Sequence, residues 1–172
     1  MALRALASIV LLLSTVSCSE PTPDAVRDVP VRVDRVAVDS RDLPVLVLEE
    51  AQGPRWLPIW IGSAEARSIA LNIEERSSPR PNSHDLTRNV IDGLEGEVTR
   101  VVVTELRGGT YYAVLTLRAR AGEVEIDSRP SDAIAIALRA GAPIFVRADL
   151  FESADSKDDT EMRTEGAPGR AI

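Results

Sequence analysis

From Val31 onward, apolar and polar residues alternate. Val31 and Val33 keep one phase, Val36 and Val38 the other, and the switch falls at Asp34 and Arg35. That pattern reads as a half-buried strand with a bulge at Asp34. A second strand follows in LPVLVLEE, a turn in QGP, and a third strand in RWLPIWI. The period then becomes helical. Ala66, Ile69, Ala70 and Ile73 share a face, so a helix is expected from Gly62 and Ser63 to about Arg76, with Glu65 in its first turn. After the loop RSSPRPNS, Ser83 is the expected N-cap of a second helix with Leu86, Val90 and Leu94 pointing inward. EVTRVVVTEL and YYAVLTLRA read as strands joined by the hairpin signal RGGT. A sixth strand surrounds Val124 and Ile126 and ends before Pro130. A third helix is expected from the N-cap Ser131, with Asp132 in its first turn, to a stop at Gly141, and PIFV forms the last strand. Many strands around about three helices give an α+β fold, one domain with a mixed, largely antiparallel sheet.

The two ends differ from this domain. Residues 1–18 carry Arg4, an apolar run from Leu6 to Leu13, and then STVSC, which ends on the chain's only cysteine, Cys18. The run is too short to span a bilayer and reads as an export signal. STVSC is similar to a bacterial lipobox, which implies lipidation of Cys18, tethering to a membrane surface and a place in the cell envelope. Residues 19–30 read as a proline-rich tether, 31–154 as the domain, and 155–172 as a disordered acidic tail. The net charge of −7 resides mainly in these appendages: from Val29 to Ala148, 15 arginines face 17 acids. A domain so close to neutral neither requires nor excludes a nucleic-acid partner. Aromatic residues make up 3% of the chain, so Val, Ile, Leu and Ala must build the core.

One stretch concentrates chemistry. DSRPSD, residues 127–132, joins a strand to a helix start, where backbone N–H groups and the positive helix end suit an anion. Taken alone, the same residues also read as a cap, with Arg129 paired to Asp127 or Asp132. SHD, residues 83–85, repeats the arrangement at the second helix and holds the only histidine, His84. Trp56 and Trp60, four positions apart on one strand, read as packing residues or as a platform for bases.

Four segments, LPIWIGSAEARSIAL, RPNSHDLTRNVIDGLEGEVTRVVV, GGTYYAVL and IDSRPSDAIAIALRAGAPIFV, run in the order seen in the bifunctional nuclease domain family, which the chain resembles. Asn82 and Ser83 stand where the family usually has Leu and Thr. The resemblance implies an α+β domain with DNase and RNase activity on DNA or RNA substrates. The polar residues within these motifs are the candidate site. His84, Asp85, Asp127, Arg129, Asp132 and Glu65 are the catalytic candidates. Asp85, Asp127 and Asp132 would hold a divalent metal, Mg or Mn. Arg80, Asn89, Ser128 and Ser131 would contact substrate. The SHD and DSRPSD motifs are expected to share one cleft. A nuclease is one expectation; a non-catalytic, envelope-anchored binding module of the same fold is the other, and a homo-oligomer fits either.

Overall fold

The computed structural model describes residues 27–151; the leader, Cys18 and the acidic tail lie outside them. Strands β1 (Asp28–Val38), β2 (Pro44–Glu50) and β3 (Trp56–Trp60) form an antiparallel meander. Helices α1 (Ser63–Ile73) and α2 (Ser83–Gly93) follow. A second meander comprises β4 (Glu97–Arg107), β5 (Thr110–Ala119) and β6 (Gly122–Ser128). Helix α3 (Pro130–Ala140) leads into β7 (Ile144–Arg147). The sheet order is β3-β2-β1-β7-β4-β5-β6. The four-residue β7 therefore joins the two meanders, antiparallel to β1 and parallel to β4. This is the α+β domain with a mixed, largely antiparallel sheet that the residue pattern describes.

Local chemistry accounts for the details. The register of β1 shifts between Val33 and Arg35, as the change of phase at Asp34 requires. Gly108 and Gly109, both at positive φ, form the two-residue turn between β4 and β5. Val45 to Leu48 and Val101 to Val103 are buried without a break, so the middle strands are covered on both faces. Helix α3 is central: Ala133 to Ala137 are all buried, and it packs against α1, α2, β4 and β5. Alanine at 133, 135 and 137 lets its backbone approach these neighbours closely.

Several expectations are corrected. The strand β1 begins at Asp28, so residues 28–30 of the expected tether pair with β7. The helix α1 ends at Ile73, three residues early, because Glu75 adopts a left-handed conformation and the Arg76 N–H closes back on the Leu71 carbonyl. The N-cap of α2 is Asn82, not Ser83: its side chain accepts from the N–H groups of His84 and Asp85, while Asp85 accepts from the Asn82 N–H. The N-cap of α3 is Arg129, not Ser131, because Pro130 has a fixed φ and no N–H and so takes the first helical position. Leu86, Val90 and Leu94 do not point inward; all three are exposed, and Ile91 is the buried apolar residue of α2. Among the described residues no helix is long and apolar enough to cross a membrane.

Candidate functional site

The first turns of all three helices carry an acid, Glu65 in α1, Asp85 in α2 and Asp132 in α3. A carboxylate there is favourable beside the positive end of the helix. Here the three are also linked to one another. Arg129, at the start of α3, donates to Asp132 (Nε to Oδ2, 2.6 Å) and reaches across to Glu65 of α1. His84 of α2 places Nε2 3.0 Å from Asp132 Oδ1 and Nδ1 2.9 Å from Ser68 Oγ of α1. Arg139, near the far end of α3, donates to Asp85, to the Ser68 carbonyl and hydroxyl oxygens, and to the Ala135 carbonyl. The SHD and DSRPSD motifs therefore meet directly, through His84 and Asp132.

Hydrogen-bonding capacity assigns the histidine tautomer. A carboxylate only accepts, so the ring nitrogen facing Asp132 carries the proton. Nδ1 of the neutral ring is then the acceptor, and the Ser68 hydroxyl donates to it while accepting from Arg139. The ring is mostly enclosed, with 12% of its side chain exposed, whereas Arg129 is 65% exposed at the rim.

The ionisation of the acids follows. Burial pushes the Asp132 carboxyl up, but the hydrogen bonds from Arg129 and His84 more than reverse it, so its pKa falls below the ordinary value. Asp85 behaves alike: burial raises it, and the bonds from Arg139 and the Asn82 N–H bring it below the usual range. Arg129, bonded by Asp132 and Glu65, is held still more firmly in its charged form. At Gly62, the N-cap of α1, a Cβ would sit 2.2 Å from Glu65 Oε2, so the glycine leaves room for that carboxylate to turn toward the helix start.

The remaining candidates make none of these bonds. Asp127 is exposed on β6, and alternation sends it to the opposite face from Ile126 and Ser128. Arg80 is exposed in the loop before α2, and Asn89 is exposed on α2. The Ser128 hydroxyl donates to the Ala113 carbonyl at 3.4 Å, and Ser131 is buried in the first turn of α3. Among the described residues no three His, Cys, Asp or Glu side chains gather in a way that holds a metal ion. Asp85 and Asp132 each bind a guanidinium, from Arg139 and Arg129 respectively. Trp60 donates through Nε1 to Asp39 at 3.1 Å. Two members of the network were not anticipated, Ser68 and Arg139. Ser68 lies next to Ile69 on a mostly apolar helix, and Arg139 looks like an ordinary cation in a last helical turn. Only the fold shows that they meet.

With this geometry in place, comparison with known proteins defines the class. The family model described as the bifunctional nuclease domain matches residues 46–159, and the chain belongs to that family. Two relatives from Mycobacterium tuberculosis, the uncharacterized proteins MT1877 of strain CDC 1551 and Rv1829 of strain H37Rv, are each 42% identical over 125 residues. The alignment covers 72% of this chain and 74% of each relative.

A substitution at the shared hydroxyl tests the network. Ser68→Ala strands His84 Nδ1 and one Arg139 N–H, and should lower the unfolding free energy by about 1–3 kcal/mol in urea titrations. Asp85 and Asp132 have folded-state pKa values below their unfolded ones. Their stabilisation is therefore present above about pH 4 and is lost as pH falls through and below it. Asp132→Asn should flatten that acid limb; a limb of unchanged steepness would show that the Asp132 bonds do not contribute.

Proposed function

We propose that the domain hydrolyses phosphodiester bonds in DNA and RNA at the junction of the three helix starts. Family membership supports the reading, and one arrangement carries it: Arg129, largely exposed, is held at the rim between two carboxylates, beside the only histidine of the chain. A phosphate arriving at the rim competes with Glu65 and Asp132 for the Arg129 guanidinium, whose planar fork suits two phosphate oxygens. The exchange releases a carboxylate next to the bound phosphate, placed to take the proton of an attacking water. His84, fixed by Ser68, keeps Asp132 in position as Arg129 turns away. It acts here as a positioning residue.

The second reading, a non-catalytic binding module, has its own support. Asp132, His84, Ser68, Arg139 and Asp85 are all bonded within the protein, as in a purely structural clasp. Digestion of single-stranded DNA and RNA by the purified protein separates the two. Arg129→Ala and Asp132→Asn should each lower the rate by about 100-fold or more while the protein stays folded. Asp127→Asn, at a side chain that makes none of the network's bonds, serves as comparison. Activity that survives a chelator assigns the phosphate charge to Arg129; activity lost with chelator and restored by Mg²⁺ or Mn²⁺ assigns it to a cation that displaces an arginine from these carboxylates. No cleavage under any condition would leave the binding module as the account, and full activity in both variants would overturn this site as the place of the chemistry.

The leader pattern supports, within the same proposal, a site of action at the cell envelope with Cys18 as lipid anchor. Cys18→Ser should shift the protein from the membrane fraction to the soluble one or block its maturation. Unchanged membrane association with an unmodified Cys18 would rule the anchor out.

A further inference from the structure

The three apolar residues that sequence periodicity assigns to the buried side of α2 are exposed: Leu86 by 59%, Val90 by 51% and Leu94 by 74%. The helix docks on its own domain through another face, on which His84, Arg88 and Ile91 recur at i, i+4 and i+7. Leu86, Val90 and Leu94 form the second stripe, at i, i+4 and i+8, on the side turned away from it. A helix with two such stripes has two surfaces to cover, and the described residues of one copy cover one.

We infer that the second stripe is covered by the same stripe of a second copy, the two α2 helices crossing antiparallel about a two-fold axis at Val90. The spacing is self-complementary. Leu86 and Leu94 lie four residues either side of Val90, so the two-fold operation sets Val90 on Val90 and Leu86 on the partner's Leu94. The residues flanking the stripe are Ser83 and Thr87 on one side and Asn89 and Gly93 on the other, none of them charged. Closing the pair therefore desolvates no ion and opposes no like charges. Gly93 and Ser83 are small enough for the helices to approach closely.

Other coverings fit less well. A membrane surface would call for Lys or Arg beside the apolar stripe, and the flanks have none. The strand β6 also exposes Val124 and Ile126, at the end of the sheet, but Glu123, Glu125 and Asp127 alternate with them. Two β6 strands paired about a two-fold axis would bring these acids together, and charged residues on an edge strand oppose such pairing. The stripe of α2 carries no such guard. Three side chains bury on the order of a few hundred Å² per copy, against ~800 Å² per partner in a standard interface, so the dimer should be weak and concentration-dependent. It leaves the His84 face of both helices free and holds whether or not the domain cleaves nucleic acid.

The test uses the full chain. Sedimentation velocity from about 1 to 300 μM should show monomer passing to dimer. Val90→Asp places a carboxylate on the axis opposite its own copy, and should leave only monomer with an unchanged thermal midpoint, because Val90 is already half exposed. Oxidative cross-linking reads the direction. Val90→Cys should give a covalent dimer mapped to position 90. A mixture of Leu86→Cys and Leu94→Cys chains should cross-link to each other, while Leu86→Cys chains alone should not, and the parent chain with Cys18 sets the background. Monomer at every concentration, a dimer that survives Val90→Asp, or cross-linking of Leu86→Cys chains alone would each overturn the inference.

Discussion

One buried hydroxyl ties the helical layer together. Ser68 Oγ on α1 accepts from Arg139 of α3 and bonds His84 of α2, so a single atom touches groups from both other helices. The apolar core brings these helices against the sheet but does not set how they meet at their starts. Directional bonds do that. His84 spans from Ser68 to Asp132, Arg139 from Ser68 to Asp85, and Arg129 from Asp132 to Glu65. Removing one member leaves its partners short of bonds in a partly enclosed place, where unmet polar groups are costly.

The arrangement also resolves an electrostatic conflict. Three helix starts converging on one region concentrate partial positive charge, and Arg129 and Arg139 add two full charges. Glu65, Asp85 and Asp132 offset them, and the bonds from Arg139, Arg129 and His84 that hold the Asp85 and Asp132 carboxyls below the ordinary range favour their ionised forms. Such a cluster is balanced without ligand but not inert. Arg129 is the member that solvent reaches best, and it is shared between two acids. Under the proposed function, an incoming phosphate would compete with these carboxylates for the Arg129 guanidinium. The exposed stripe of α2 lies on the side of the helix turned away from His84.

Much of this was legible in the residues. The alternation around Asp34 marked the bulge, Gly108 and Gly109 marked the hairpin, and Gly141 before Pro143 marked the end of α3. These features depend on neighbours in sequence. The helix caps were misplaced by one or two residues because Asn82 competes with Ser83, and because Pro130 prefers the first helical position to the place before it. The convergence of SHD with DSRPSD was readable as two similar helix starts. The roles of Ser68 and Arg139 were not, since each depends on residues more than 15 positions away. Asp127 is adjacent to Ser128 and Arg129 in DSRPSD, but strand alternation turns its side chain to the opposite face from Ser128, which adjacency alone does not reveal. The stripe of Leu86, Val90 and Leu94 is apolar and periodic in the sequence, but it does not face the core as that pattern suggested, and what covers it is not visible among the described residues.

The central claim is that His84 joins α1 to α3, with its Nε2 proton on Asp132 and its Nδ1 accepting from Ser68. Because the chain has one histidine, ring-nitrogen NMR of uniformly ¹⁵N-labelled protein reports on this group without ambiguity. At pH values where the ring is neutral, the account requires the Nε2–H tautomer, with a slowly exchanging ring proton that is lost in Asp132→Asn and an Nδ1 resonance that moves in Ser68→Ala. A ring in the Nδ1–H tautomer, or one averaging freely between tautomers as an exposed histidine does, would show that the three helix starts are not joined in this way.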